Sequence, residues 1–278
     1  MIAIGMSTCS VFPLGTEDAF RIAKEAGFDG VEIMVTRDAS TQSADSLLAL
    51  SRRYELPVLS IHAPVLVMTQ FVWGRGPVVK LERSAELARA VGAATVVVHP
   101  PFRWRTTFAP AFLAAVRAMA TRYGVEMAVE NMFDVKIGRR RVATYAPGWD
   151  PSLMDCDAMT LDFSHASLSS RDSHDLALAM GDRLRHVHLC DGSGRGGDGR
   201  MFDEHLVPGR GNEPVAEVLH LLAGWDWSGS LIAEVNTRGA RTDAERLAML
   251  VETVEFARRH AFASASLEPS ELSQSQLG

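Results

Sequence analysis

Cysteine is scarce in this sequence. Three occur in 278 residues, Cys9, Cys156 and Cys190, with no CxxC or paired spacing. That excludes a disulfide framework and a zinc ribbon, and it fits a reducing compartment. Long apolar runs are also missing. None approaches the ~20 residues of a membrane span, and Ile2-Ala3-Ile4-Gly5-Met6 enters a strand-like run without the basic segment and apolar core of a secretory signal. A cytoplasmic protein with no membrane partner is the expectation. Positive charge is in deficit, since 28 Lys and Arg face 34 Asp and Glu, a formal net charge of -6. A phosphate backbone attracts basic surfaces, so nucleic acid is not the expected partner. Finally, Gly5-Met6-Ser7-Thr8 is not GxGxxG, which argues against a dinucleotide-binding fold.

What is there is the composition of a globular protein, 47% hydrophobic and 22% charged, at a length that suits one large α/β domain. Short β-branched runs fall at 2–8, 31–35, 58–63, 95–99, 126–130, 159–163, 184–190 and 230–235. Between them, apolar residues recur at three and four, the spacing of one helix face. Examples are Ala19, Ile22, Ala23 and Ala26, then Leu81, Ala85, Ala88 and Val91, then Phe112, Val116, Met119 and Tyr123, and last Leu247, Leu250, Val251 and Val254. Gly27, Gly92 and Gly124 stand where left-handed C-caps are wanted, and Thr16 before Glu17-Asp18 reads as an N-cap. Eight such alternations predict a (β/α)8 TIM barrel over residues 1–262. The polar tail 263–278 is expected to be disordered. The segments 64–77, 131–158 and 191–212 are long and follow strands, which makes theirs the active face.

Polar residues stand at the ends of the strand-like runs: His62, His99, Glu130, Asp162, His188 and Glu234, with His165, Asp203 and His205 close behind. Strand ends of a barrel converge on one axis. A single histidine there is usually a hydrogen-bonded core residue, but nine such groups together are costly to bury without a cation. Imidazole plus carboxylate suits zinc, manganese or cobalt. His186, two residues before His188, is expected one layer deeper, and His174, His220 and His260 on the surface.

On these residues the chain resembles the xylose-isomerase-like TIM-barrel superfamily, which includes sugar-phosphate isomerases and epimerases, inosose dehydratases and the endonuclease IV group. The matching elements are Gly-Phe-Asp-Gly-Val-Glu at 27–32, His-Pro at 99–100, Glu-Asn at 130–131, Asp-x-x-His at 162–165, His-Leu-x-Asp at 188–191, His-x-x-Pro-Gly-x-Gly at 205–211, and Glu234. From the isomerases and epimerases the resemblance implies a metal held by Glu130, Asp162, His188 and Glu234, with His165 on substrate hydroxyls. Glu130 and Glu234 are then the catalytic pair that removes and returns a proton beside a carbonyl, through an enediolate, in either order. An inosose-type dehydratase would begin with the same step. From endonuclease IV it implies a trinuclear zinc phosphodiesterase. There His62, His99 and Glu130 hold one ion, His165, Asp203 and His205 another, and the four residues already named the third. One departure stands out: the family pattern usually has Glu where this chain has Arg210. Arg210 and Trp104 are candidate substrate contacts on active-face loops. Trp73, Arg139-Arg140-Arg141, Arg195 and Arg200 share those loops, and the run Gly192 to Gly199 reads as a flexible lid.

Overall fold

Eight parallel strands close on themselves. A computed structural model describes residues 2–64, 69, 71–137, 140–194 and 203–262, with 135–137, 140 and 141 described by their backbone. The barrel strands are β1 (Ala3–Ser7), β2 (Gly30–Met34), β3 (Val58–His62), β4 (Thr95–Val98), β5 (Glu126–Glu130), β8 (Met159–Asp162), β9 (Leu184–Leu189) and β10 (Ser230–Ala233). They pair in chain order, and β10 returns to β1. β6 (Val135–Ile137) and β7 (Arg140–Val142) form a separate antiparallel hairpin. Every expected strand is found to within two residues at either end.

Around the barrel run α1 (Thr16–Ala26), α2 (Ala44–Tyr54), α3 (Pro77–Val91), α4 (Phe112–Tyr123), α5 (Phe163–Ser169), α6 (Ser173–Met180), α7 (Val215–Gly224) and α8 (Asp243–Ala261). Among the described residues no α-helix follows β5. The stretch there carries Pro147, Gly148 and Pro151, which interrupt any helical period, and the hairpin and a 3-10 turn at Pro151–Leu153 occupy it instead. Two short helices, α5 and α6, follow β8. None of the helices is long and apolar enough to cross a membrane among the described residues.

The glycine caps stand as expected, Gly27, Gly92 and Gly124 having φ of 87°, 79° and 66°. The expected N-cap does not. Thr16 is the first helical residue of α1 and Gly15 takes the N-cap position; the Thr16 hydroxyl donates to Asp38 Oδ2 at 2.6 Å. The apolar face Ala19, Ile22, Ala23 and Ala26 is buried against the barrel. Phe20, Phe112 and Phe163 are fully buried between helices and strands, each contributing on the order of 1.5–3 kcal/mol. Inside the barrel, however, Glu32, Ser60, His186 and His188 are fully buried. The axis is polar, and the polar column rises to the strand ends.

Candidate metal centre

Parallel register brings the strand-end residues level. Glu130 ends β5, Asp162 ends β8 beside His188 of β9, and Glu234 follows β10. Their side chains converge on a single atom. His188 Nδ1 lies 3.2 Å from Glu130 Oε1, 3.4 Å from Asp162 Oδ2 and 2.9 Å from Glu234 Oε2. A ring nitrogen carries at most one hydrogen, so it satisfies one carboxylate and leaves the others short. Among the described residues Asp162 Oδ2 has no hydrogen-bond partner. The second oxygen of Glu130 is 3.4 Å from His62 Nε2 and 2.8 Å from His99 Nε2, yet neither contact is aligned as a hydrogen bond. Buried carboxylates that face one lone-pair atom without enough donors are what a cation completes. The donor set fits a divalent ion.

A second group adjoins the first. His165 Nδ1 is 3.1 Å from Glu130 Oε1, and its Nε2 is 3.3 Å from Asp203 Oδ2. His205 Nε2 is 3.1 Å from Asp203 Oδ1. Asp162, His165 and His205 offer atoms close enough to share an ion, as do His62, Glu130 and His188, and Asp162, His188 and Glu234. All nine residues expected at the site therefore meet in one place.

Local structure explains their aim. Asp162 is the N-cap of α5, and Oδ1 accepts the His165 amide at 2.8 Å, which turns Oδ2 toward His188. Asn131, the residue after β5, clamps the same residue, donating to its carbonyl at 3.0 Å and accepting its amide at 2.7 Å. His205 has φ of 44°, a left-handed conformation that costs on the order of 1–3 kcal/mol outside glycine. It is held there by the Asn236 amide on its carbonyl (2.8 Å) and by its own Nδ1, 2.8 Å from the Glu234 carbonyl. Asp191 pins the loop that carries Asp203 and His205, its carboxylate accepting the amides of Gly192, Gly209, Gly211 and Glu213 at 2.8–3.1 Å. A Cβ at Gly211 would stand 2.2 Å from that carboxylate, so only glycine fits.

The electrostatics follow from crowding. Burial alone would push Glu130 up, but the charges of His99 and His188 and hydrogen bonds from His165 and His188 hold it well below the usual carboxylate range. Glu234, also raised by burial, is drawn down to about 2, mainly by His188. Burial disfavours the charged form of His188, yet Glu234, Glu130 and Glu32 raise it well above the usual imidazole range. Asp162 and Asp203 overcome burial at His165, and Asp203 does so at His205. His99 goes the other way: burial lowers it, and His62 and His165 add to that against the pull of Glu130.

The site opens into a cavity of about 710 Å³ lined by His62, His99, Glu130, His165, Asp203, His205 and Glu234. Phe12, Leu14, Met34 and Val235 make an apolar wall, and Arg37 and Arg238 also line it. Two expected substrate contacts do not reach it among the described residues. Arg210 is bound to Glu252 of α8, which draws it away. Trp104 is 66% exposed and stacks on Phe102 with ring centroids 4.4 Å apart. Trp73 packs against the core. Arg139, Arg195, Arg200, residues 195–199 of the glycine-rich run, the tail 263–278 and the side chains of Arg140 and Arg141 lie outside the described residues.

Several contributors had no expected role. Glu32 sits in a quoted motif, its charge inside an apolar strand being the signal. Cys9 donates to Glu234 Oε1 at 3.0 Å. Asn131 and Asp191 work through backbone hydrogen bonds, which spacing does not reveal. His186, as expected, lies deeper, fully buried and 2.9 Å from Glu32. His220 and His260 pair at the surface, and His174 is half-buried in α6.

The family model described as xylose isomerase-like TIM barrel matches residues 20–260. The chain belongs to this family. An uncharacterized protein of Mycobacterium tuberculosis (strain ATCC 25618 / H37Rv) is 44% identical over 278 residues, covering 93% of this chain and 98% of that protein. Fructoselysine 3-epimerase of Escherichia coli O157:H7 is 21% identical, covering 84% of this chain and 90% of its own. Among solved structures, a D-tagatose 3-epimerase-like protein superposes with a TM-score of 0.67 at 22% identity, over 92% of this chain and 98% of that one. Within the xylose isomerase-like family, then, this member carries the strand-end carboxylates and histidines of its barrel in one pocket.

Proposed function

We propose that the chain is a divalent-metal-dependent epimerase or isomerase of a small sugar, sugar phosphate or polyol. The observation that carries this reading is the convergence of Glu130, Asp162 and Glu234 on His188 Nδ1 at the floor of a cavity of sugar size. Sites for small ligands span roughly 300–1,000 Å³, and this one lies within that range. Two relatives whose names carry 3-epimerase activity support the choice of reaction.

Glu130, Asp162, His188 and Glu234 would hold the cation, with zinc, manganese or cobalt suited to this mixed donor set. When bound it supplies Lewis acidity that makes the proton beside a substrate carbonyl easier to remove. Glu130 and Glu234 do the proton transfer. Both are held low and are ionised at neutral pH, as a base must be before it accepts a proton. One takes the carbon-bound proton, and the other, once it has taken up a proton from solvent, returns that proton to the opposite face, which inverts the carbon. Return to the neighbouring carbon gives an isomer instead. His165, between Glu130 and Asp203, is placed to hold a substrate hydroxyl. Arg37 and Arg238 form no ion pair among the described residues, and their charge suits an anionic substituent on the substrate. A cytoplasmic setting fits the three free thiols.

Solvent exchange tests the reaction class before the substrate is known. In D2O with manganese and a panel of ketoses and ketose phosphates, the protein washes deuterium into the carbon next to the carbonyl of at least one sugar. The absence of exchange on every member, with metal bound, would overturn the reading. An inosose-type dehydratase would show the same exchange followed by loss of water, which the product mass distinguishes.

One observation favours a second reading, a trinuclear-zinc phosphodiesterase of the endonuclease IV type. His62, His99, His165, Asp203 and His205 add donors for two further ions beside the first site. The net charge of -6 counts against a DNA substrate.

A further inference from the structure

Glu32 lies at the centre of β2, between Val31 and Ile33, and is fully buried. A carboxylate in the middle of a barrel strand is expensive unless donors surround it. Three groups face it. Ser60 Oγ donates to Oε2 at 2.8 Å, while His186 Nε2, 2.9 Å from the same oxygen, and His188 Nε2, 3.3 Å from Oε1, are within ion-pair distance without being aligned as hydrogen bonds; among the described residues His188 Nε2 and Glu32 Oε1 have no other partner. His188 thus stands between two sets of oxygens. Its Nε2 faces Glu32 below, and its Nδ1 faces Glu130, Asp162 and Glu234 above.

We infer that Glu32 is a positioning residue that fixes the tautomer of His188, holding the hydrogen on Nε2 so that the Nδ1 lone pair is presented to the metal. The inference rests on the reading of His188 as a ligand. A neutral imidazole has one N–H, and whichever nitrogen keeps it cannot bind a cation. The three carboxylates around Nδ1 would by themselves draw the hydrogen to that side, the wrong one for coordination. Glu32 supplies the opposing acceptor. Its own orientation is set from β3 and β9, where Ser60 and His186 converge on Oε2 and leave Oε1 to His188. Outer partners of this kind fix both ring orientation and ligand basicity.

Glu32, His186 and His188 also offer atoms close enough to share an ion. The geometry favours the positioning role. Each oxygen of Glu32 faces a different imidazole, and one already accepts from Ser60.

The test compares zinc affinity, by competition with a chromophoric chelator, in the wild-type chain and in Glu32→Gln, with folding verified by circular dichroism. The amide keeps the volume but cannot accept from both histidines. Zinc binding is expected to weaken by about 10- to 100-fold. Ser60→Ala, which keeps the carboxylate and removes one donor, is expected to weaken it several-fold, and it carries the test if Glu32→Gln does not fold. Nitrogen-15 NMR of the zinc form gives a readout independent of activity: the His188 hydrogen sits on Nε2 in the wild type, and the variant loses that single tautomer. Unchanged affinity in both variants would overturn the inference, as would a His188 hydrogen on Nδ1 in the zinc-loaded wild type. A second zinc per chain that disappears in Glu32→Gln would also overturn it, since Glu32 would then be a ligand. Failure of the wild type to bind zinc at all is a different result, one that defeats the metal reading of His188 itself.

Discussion

Glu130→Gln and Glu234→Gln each lower turnover by about 100- to 10,000-fold, the range that general acid–base catalysis contributes, while the protein retains metal at saturating concentration. The substitution is nearly isosteric, and an amide oxygen still faces His188. What it removes is the ability to accept a proton. The two positions do not respond alike. Glu130 is surrounded by His62, His99, His165 and His188, so its neutralisation leaves several buried imidazoles without their anion. Glu234 is near the edge of the cluster, with the Cys9 thiol on Oε1, and its loss disturbs less. Half-reactions separate the roles further. The variant lacking the second carboxylate still exchanges the substrate proton with D2O but does not invert the carbon. The variant lacking the first does neither. Wild-type turnover in either variant, with metal bound, contradicts the mechanism.

Removal of metal abolishes turnover, and its effect on stability grows with pH. His188, His165 and His205 have pKa values raised well above the ordinary imidazole range, while Glu130 and Asp203 are held well below the carboxylate range and Glu234 at about 2. A raised histidine contributes stability that is fully present below its unfolded value, about 6.5, and is lost as pH rises through the folded one. A lowered carboxylate contributes above its unfolded value, about 4, and loses it as pH falls through the folded one. Metal-free protein is therefore most stable between roughly pH 4.5 and 6.5 and weakens on the alkaline side. Metal reverses that weakening, because it takes the place of the His188 proton and binds more tightly as the proton leaves. At a free ion concentration 100 times the dissociation constant the gain is about 2.7 kcal/mol. For a chain of this size that corresponds to a rise in Tm of roughly 4–6 °C. Thermal melts with chelator and with zinc, at pH 6 and pH 8, measure it: the gap between the two widens from the lower pH to the higher. A Tm indifferent to metal at both values contradicts the account, as does failure of zinc, manganese or cobalt to restore turnover.

How much of this was legible beforehand depends on what each residue interacts with. The barrel was legible because its strands are buried on both sides and so appear as runs such as Val96-Val97-Val98, and because Gly27, Gly92 and Gly124 end helices in a backbone conformation that favours glycine. The ring of polar strand-end residues was legible because each breaks off an apolar run at the same end, as His99 does after Val98. Glu32 was visible as an anomaly, a charge between Val31 and Ile33, but its partners are 28 and more residues away and only barrel closure brings them to it. Asn131 and Asp191 bind backbone amides and a carbonyl, which carry no sequence signature. Thr16 lies one residue inside the helix it was expected to cap, and its hydroxyl donates to Asp38 of a neighbouring loop, a partner that local spacing does not reveal. Arg210 and Trp104 fared worst. A long side chain on a loop can point either way, and Glu252 and Phe102, which decide where they go, are not marked out by the sequence. The arginines that do reach the cavity, Arg37 and Arg238, lie on shorter loops that drew no notice.

The most direct test of the central claim is metal content per chain, by elemental analysis of protein purified without chelator or added metal. The account predicts about one divalent ion per chain, exchangeable for manganese or cobalt, held by Glu130, Asp162, His188 and Glu234. Three zinc ions would move the assignment to phosphodiester hydrolysis and make abasic-site DNA the first substrate to test. No bound metal, and none taken up on addition, would contradict the account outright.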